Sequence, residues 1–158
     1  MAEVDEKYQW LIERFQQTIP IIRFSGFAVE KLQERDITVS MPMGPNTNHV
    51  GIMYAGSLFI LIEMAGAAVF ATTYDYDRYT LINKGMSIRY LKPSMTKTYC
   101  HLSISKEDAE AKIKPVDERG RGDWIVDISA VDERGVEVCK ANCNYYVLVN
   151  KEPGKLSL

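Results

Sequence analysis

The sequence contains few of the residues that bind metals or form disulfides. Its 158 residues include two histidines, His49 and His101, and three cysteines. An odd number of cysteines argues against a disulfide framework, and neither histidine stands at a recognisable ligand spacing from Cys139 and Cys143. Residues four apart share one face of a strand, so we interpret Cys139 and Cys143 as two buried thiols and expect no bound metal.

The chain also lacks an excess of basic charge. Its formal net charge is -2, and its 19 Lys and Arg residues are scattered along the sequence. A nucleic-acid partner is therefore not expected, because such proteins present a clustered positive surface. The first residues, MAEVDEK, are acidic where an export signal would be basic. Together with the odd number of cysteines, this predicts a cytoplasmic protein.

Charge is rarest between Val50 and Tyr74, where Glu63 is the single charged residue. An apolar stretch of this length also occurs in membrane-spanning helices. The central glutamate, the many small and hydroxyl residues and the lack of a flanking Lys/Arg cluster argue against insertion into a membrane. We therefore predict a long helix, about residues 54–73, that is covered on every side in a soluble domain.

Glu63 is energetically out of place in such a helix. Moving a carboxylate into an apolar environment is costly unless the group is paired or protonated. One interpretation is a structural carboxylate that a hydroxyl group or a helix N-terminus satisfies. The other, which we favour, is a catalytic base or nucleophile.

The remaining patterns predict a single α+β domain over residues 1–158. Apolar residues at helical spacing predict an N-terminal helix over about residues 4–18, which Pro20 ends. Alternating segments predict two strands between Phe24 and Met43 and about four more strands after the long helix. A charged excursion contains a short helix at about 106–114, and Gly135 supplies the positive φ of a hairpin turn. The predicted core, about residues 24–149, is an antiparallel sheet wrapped around one central helix, followed by a short C-terminal tail.

Around the central helix, the sequence contains Asn48, then Tyr54-Ala55-Gly56, then Glu63, and further on GMSIRYLKP, which ends in Lys92-Pro93. These residues resemble the PaaI-type acyl-CoA thioesterases of the hotdog fold. The helix entry of that family reads Asn, five residues, His-Gly-Gly, six residues, Asp. The resemblance extends over about residues 36–149. Three positions depart from the family pattern, because Glu63 stands for aspartate, Tyr54 for histidine and Ala55 for glycine.

The resemblance implies hydrolysis of an acyl-CoA to free acid and thiol, with Glu63 activating water or attacking the carbonyl. The N–H groups of Ala55 and Gly56 lie at the helix start, where unpaired donors and the positive end of the dipole can hold an oxyanion. Gly56 also permits close approach of the substrate. The Asn48 amide would hold the water or the carboxylate, and a turn-capping role is an equal alternative. In the family the site lies between subunits, so we expect a homodimer or homotetramer.

Further residues are candidates for binding the substrate, and no cofactor besides the coenzyme A of the substrate is expected. The family places a polar residue ten positions before the strand-ending proline, which here is Asn83. His49 is a candidate general base, and Tyr54 either packs or donates a hydrogen bond. The candidate cations for the coenzyme A phosphates are Lys84, Arg89 and Lys92. The candidate apolar side chains for an acyl tunnel are Met53, Phe59 and Met86.

Two other functions are alternatives to the thioesterase. His49 and Glu63 are fourteen residues apart, similar to the His and Glu of FabZ-type hotdog dehydratases. The Pro-Gly break that precedes the dehydratase glutamate is missing at residues 60–62, which counts against a hydratase or dehydratase. A non-catalytic acyl-CoA-binding protein is favoured by the imidazole that is lost at Tyr54.

Overall fold

The computed structural model describes residues 2–153, which form four α-helices and one seven-stranded sheet. The helices are α1 (Gln9–Thr18), α2 (Pro20–Ser25), α3 (Ala55–Thr73) and α4 (Lys106–Arg119). The strands are β1 (Glu3–Val4), β2 (Ala28–Gln33), β3 (Asp36–Met41), β4 (Tyr79–Tyr90), β5 (Thr98–Ser103), β6 (Arg121–Asp132) and β7 (Glu137–Val149).

The N-terminal segment differs from the predicted helix over residues 4–18. Its first residues form the short strand β1 and a 3-10 turn at Glu6–Tyr8, and α1 begins only at Gln9. Pro20 ends α1 as predicted, but it also begins α2, because proline is well tolerated in the first helical turn, where its missing N–H is not needed. Gly26, with a φ of 73°, ends α2. The extended pattern predicted from Phe24 therefore begins only after α2, and the predicted strand segment FAVEKLQE contains β2.

The sheet has the strand order β1-β2-β3-β5-β6-β7-β4. All pairs are antiparallel except β1 and β2, which run parallel. Four strands follow the long helix, as predicted. Strands β6 and β7 form the predicted hairpin, and Gly135 has a φ of 76° in the turn. Cys139 and Cys143 point to the same face of β7 and are both buried free thiols, which confirms their interpretation.

The long helix α3 lies against the concave face of the sheet and contacts strands from β2 to β7. Its fully buried side chains include Leu61, Ile62 and Val69. A glycine at position 66 allows the closest approach, since a Cβ atom there would lie 2.0 Å from the Tyr145 hydroxyl oxygen. A sheet wrapped around one central helix is the predicted α+β hotdog architecture, which is confirmed.

The prediction that α3 is covered on every side is wrong for a single chain. The helix is long and apolar enough to span a membrane by length and composition, but 67% of its most apolar window is buried inside the domain. Between Ala55 and Ala67, its incompletely buried residues recur three or four positions apart and so form one stripe along the helix. They are Ala55, Gly56, Phe59, Ile60, Glu63 and Ala67.

The charged excursion between β5 and β6 contains α4, which is longer than the predicted helix at 106–114. Ser105 caps its start, because the Ser105 hydroxyl accepts a hydrogen bond from the Asp108 N–H at 3.0 Å. The helix continues through Pro115 to Arg119, and Gly120 ends it with a φ of 74°. Its buried side chains, Ala109 and Val116, pack it onto the outer part of β6 and β7.

Candidate active site

Glu63 lies about two turns into α3, on the stripe that the sheet leaves uncovered. Among residues 2–153, no hydrogen bond or ion pair to its carboxyl group is present, and burial raises the pKa of this group above its usual value. Burial without a partner disfavours the charged form of a carboxyl group. Glu63 is therefore a partly desolvated carboxyl group and not a member of an ion pair among the described residues.

Beside Glu63 is a cavity of about 440 Å³ between α1, α3 and β4, within the size range of small-molecule sites. Asn83 lines it, so the structure brings together Glu63 and the polar strand residue that the resemblance indicated. Position 84 is the extra residue of a bulge between β4 and β7, and such bulges redirect neighbouring side chains. The other lining residues include Trp10, Arg14, Phe15, Met64, Phe70, Tyr76, Asp77, Leu81 and Tyr145.

Tyr145 on β7 fixes the backbone of α3 at Glu63. Its hydroxyl donates to the Glu63 carbonyl oxygen at 2.8 Å, and its side chain is fully buried. Burial raises the pKa of the Tyr145 phenol, so the hydroxyl keeps the proton that it donates. Sequence reasoning missed this residue, because 82 positions separate it from Glu63 and no local pattern relates the two.

The buried thiols of β7 are not suited to nucleophilic chemistry. Burial raises the pKa of both Cys139 and Cys143 to about 12. The thiolate is the reactive form of cysteine, so both groups remain protonated and inert near neutral pH. Cys143 instead contacts Met86, with 3.4 Å between the two sulfur atoms. Among residues 2–153, no group of His, Cys, Asp and Glu side chains suits a metal ion.

The start of α3 borders a second cavity of about 430 Å³, which Glu63 does not line. Asn48, Met53, Ala55 and Lys92 line it, together with Ile52, Leu58, Tyr90, Leu91, Pro93 and Ser94. The Ser57 and Leu58 N–H groups donate to the Tyr54 carbonyl, whereas in the described part of the chain the first two N–H groups of the helix have no acceptor. These are the N–H groups of Ala55 and Gly56, which the sequence analysis singled out.

The Tyr54 ring lies against Gly56. A Cβ atom at Gly56 would be 2.4 Å from the Tyr54 Cε1 atom, so the glycine makes room for this ring. The space next to the Gly56 backbone was expected to admit the substrate, and here the Tyr54 side chain occupies part of it. Tyr54 is 58% exposed, so its ring is free to turn towards solvent.

The Asn48 side chain stabilises the loop before α3. Its Oδ1 atom accepts hydrogen bonds from the Val50 and Ile52 N–H groups, at 3.0 and 3.2 Å. This is the turn-capping alternative, and within one chain Asn48 does not reach Glu63. His49 is exposed in the same loop and lines neither cavity.

The cations and apolar residues predicted to bind substrate are dispersed in a single chain. Lys84 points away from the helix and pairs with Asp123 at 2.8 Å, and Arg89 is exposed on the same outer face of β4. Lys92 and Met53 line the second cavity. Phe59 lies on the uncovered stripe of α3 and Met86 on the inner face of β4, and neither residue lines the Glu63 cavity.

Comparison with known families covers almost the whole fold. A family described as "Putative thioesterase (yiiD_Cterm)" matches residues 8–149, from the 3-10 turn before α1 to the end of β7. The chain belongs to this family. No curated protein shows significant sequence similarity to the chain. The matched region includes α1 and its cavity-lining residues, which lie outside the region that resembles the PaaI-type enzymes.

Solved structures of similar fold carry related descriptions. A Pseudomonas aeruginosa protein, PA5026, described as "Probable Thioesterase", is 26% identical, with a TM-score of 0.84 over 94% of this chain and 99% of that one. A Shewanella oneidensis protein described as a "putative thioesterase" is 21% identical, with a TM-score of 0.72 over 89% and 99%. A Haemophilus influenzae thioesterase is 15% identical, with a TM-score of 0.66 over 91% and 94%. The last two show the fold alone, and the family and its neighbours together support thioesterase-type hydrolysis.

Proposed function

We propose that the protein hydrolyses an acyl-CoA, or a related acyl thioester, to the free acid and the thiol. The observation that carries this proposal is the unpaired, partly buried Glu63 carboxyl group, which borders a substrate-sized cavity. Seven residues before it, on the same face of α3, stands Gly56 at the helix start. A structural carboxylate would be expected to have a partner, and Glu63 has none among the described residues.

Glu63 acts as the general base for water or as the nucleophile towards the thioester carbonyl. A raised pKa brings a carboxylate closer to the operating pH and makes it a stronger base than an exposed glutamate. In the general-base form, Glu63 accepts a proton from water, the water oxygen bonds to the carbonyl carbon, and the C–S bond breaks. The thiolate that leaves takes up the proton.

The N–H groups of Ala55 and Gly56 are the proposed donors to the oxyanion. Seven helical residues span about 10 Å along the axis. Side chains of a helix tilt towards its N-terminus, so the Glu63 carboxyl group leans back towards these donors. A rotation of the Tyr54 ring would open the Gly56 backbone to the thioester oxygen.

We propose that the active protein is a homo-oligomer, a dimer or tetramer, whose second copy completes the site. Strand β4 pairs with β7 on one side, and no described strand pairs with its other edge. Ile82 and Tyr90 on this strand are 37% and 48% exposed, and Phe59 on the stripe of α3 is 39% exposed. A long free edge beside an apolar stripe is an aggregation hazard unless another chain covers it. A second copy there would also cover Glu63.

The coenzyme A portion is proposed to enter along the second cavity, where Lys92 is the cation in the lining. Lys84 is the weaker candidate, since Asp123 already neutralises it. Arg89 remains a candidate on the exposed face of β4, and Asn83 is proposed to orient the carbonyl or the water in the Glu63 cavity. We propose a cytoplasmic location, where acyl-CoA substrates occur, and no cofactor other than the coenzyme A of the substrate.

The direct test is release of free thiol from a panel of acyl-CoAs by the purified protein. Glu63→Gln keeps the size of the side chain and removes its basicity, so it is expected to reduce kcat at least about 100-fold, the scale of general-base catalysis. Glu118→Gln is the matched control, since Glu118 is exposed on α4 and lines neither cavity. Equal activity of wild type and Glu63→Gln would refute the role of Glu63.

One observation favours a second candidate, a non-catalytic acyl-CoA-binding protein. The Tyr54 ring lies where a histidine precedes the oxyanion donors in the PaaI-type pattern, and it packs on Gly56. Binding of an acyl-CoA without thiol release would select this candidate. The hydratase alternative gains no support, because the exposed His49 does not border the Glu63 cavity. Hydration of an enoyl-CoA by the purified protein would nevertheless establish it.

A further inference from the structure

The Glu63 cavity has a cation in its wall that the proposed reaction leaves unused. Arg14 on α1 lines the cavity together with Glu63. Among the residues that the structure describes, no carboxylate forms an ion pair with the Arg14 guanidinium group; its polar contact is with Tyr76. An arginine beside a cavity with free N–H donors is suited to bind a carboxylate or a phosphate.

Arg14 is held in place by aromatic side chains rather than by an acid. Its Nε–H donates to the Tyr76 hydroxyl oxygen at 3.1 Å, and its guanidinium carbon lies 5.1 Å from the centre of the Tyr76 ring. Trp10 packs edge-on against the same ring, with 5.1 Å between the ring centres. These contacts use Nε and leave the terminal nitrogen atoms of the guanidinium group for a ligand.

Helix α1 is fixed relative to α3, so the position of Arg14 is set by the fold. Leu11 and Phe15 on the inner face of α1 are buried in the core. The Tyr8 hydroxyl, just before the helix, donates to the Thr72 carbonyl oxygen of α3 at 2.9 Å. Arg14 is thus a preorganised group of the cavity wall, and ligand binding need not order the helix.

The other side chains of the cavity include an apolar set and one further charge. Phe15, Met64, Phe70 and Leu81 provide apolar surface for a short hydrocarbon segment. Besides Arg14 and Glu63, the charged residue in the lining is Asp77, which is exposed and would repel an anion. Arg14 is therefore the side chain that would stabilise an anionic group of a ligand in this cavity.

We propose that Arg14 binds an anionic group of the ligand, a carboxylate on the acyl chain or a phosphate of coenzyme A, and so determines specificity. The inference rests on the proposed function for the thioester itself, but binding of the anion does not require turnover. A carboxylate at the far end of a short acyl chain would lie across the apolar segment from Glu63. A phosphate would place coenzyme A, rather than the acyl chain, against α1.

Isothermal titration with four non-hydrolysable thioethers separates these sources. The ligands are hexyl and carboxypentyl thioethers, each made with coenzyme A and with N-acetylcysteamine, which carries no phosphate. Arg14→Gln is expected to raise the Kd at least about tenfold, which is about 1.4 kcal/mol, either for the two carboxypentyl ligands or for the two coenzyme A ligands. The Kd of hexyl-N-acetylcysteamine, which carries no anionic group, should change by no more than about twofold. Arg119→Gln, a change of the same type at an exposed site on α4, is expected to alter none of the four Kd values.

Each outcome decides the inference. A loss that follows the carboxylate on both thiols assigns Arg14 to the acyl chain, and a loss that follows coenzyme A with both chains assigns it to a phosphate. Asp77→Asn should then tighten binding of the same anionic ligands. An equal loss for all four ligands, no loss for any, or no binding of any ligand to the wild type would overturn the inference. Selective binding without thiol release from the matching thioesters would overturn the proposed function and leave this inference intact.

Discussion

Replacing Gly66 by alanine is expected to destabilise the protein, although alanine is the better helix former. A Cβ atom at this position would lie 2.0 Å from the Tyr145 hydroxyl oxygen and 2.6 Å from its Cζ atom. Tyr145 is fully buried, and its ring centre lies 5.8 Å from that of the buried Trp124. Trp124 blocks movement of the ring on one side, so an added Cβ atom must shift α3 or β7 or displace the ring towards the Glu63 cavity.

The size of the effect follows from three opposing contributions. Overpacking of a core costs about 1–3 kcal/mol. Displacing the Tyr145 hydroxyl from the Glu63 carbonyl loses a buried hydrogen bond, about 1 kcal/mol. Alanine recovers about 1 kcal/mol relative to glycine inside a helix. The free energy of unfolding should therefore fall by about 1–3 kcal/mol, the overpacking term alone.

Urea denaturation followed by circular dichroism measures this change, with Gly44→Ala as the matched control, because no atom lies within 4 Å of a Cβ built there. Tyr145→Phe removes the closest atom. The double variant should therefore lose less than the sum of the two single changes, by at least about 0.5 kcal/mol. A Gly66→Ala protein as stable as wild type, or strictly additive losses, would show that the contact does not limit the packing of α3.

Three further predictions concern Glu63, the uncovered stripe and Lys92. Burial raises the pKa of Glu63 in the folded protein, so protonated Glu63 favours the folded over the unfolded state at low pH. This stabilisation is lost as the pH rises from the unfolded-state pKa to the folded-state pKa. In denaturation measurements, Glu63→Gln should be as stable as wild type at acid pH and more stable at neutral pH. The kcat/KM of wild type should rise with pH as Glu63 loses its proton. The opposite pH trend in denaturation would contradict this. Phe59→Asp should raise the dissociation constant of the oligomer about 100-fold, a loss near 3 kcal/mol, and size-exclusion chromatography with light scattering would detect the dissociation. The control Phe24→Asp on α2 should leave the oligomer intact, although Phe24 is 71% exposed. An intact Phe59→Asp oligomer would place the interface elsewhere. Lys92→Gln should raise KM for acyl-CoAs but not for N-acetylcysteamine thioesters, and an equal effect on both would exclude a phosphate contact.

Local sequence patterns predicted the secondary structure where the pattern is strong. The apolar run around Glu63 predicted α3 to within one residue at its start, because helix length and composition are local properties. Gly135 predicted the β6–β7 turn through its backbone conformation. The pattern was weaker at the N-terminus, where Pro20 both ends one helix and begins another. A proline stops a helix, but its own effect does not tell whether the following residues form a new one.

The candidate site was predictable where its residues belong to one segment or match a family pattern. Glu63 was found from its isolated charge, and Asn83 from its distance to the proline that ends the strand. Other contacts of the site are made between chain segments that lie far apart in the sequence. Tyr145 reaches Glu63 across 82 positions and Arg14 reaches Tyr76 across 62, and no periodicity extends over such distances.

The sequence by itself determined that this protein has a long apolar helix with one carboxylate, an α+β fold and buried thiols. These properties follow from composition, side-chain period and turn chemistry, which act between near neighbours. Only the tertiary structure decided which face of α3 the sheet leaves uncovered, and that α1 closes the cavity beside Glu63. Those facts depend on how rigid elements pack, and packing is settled by contacts between residues that are distant in the chain.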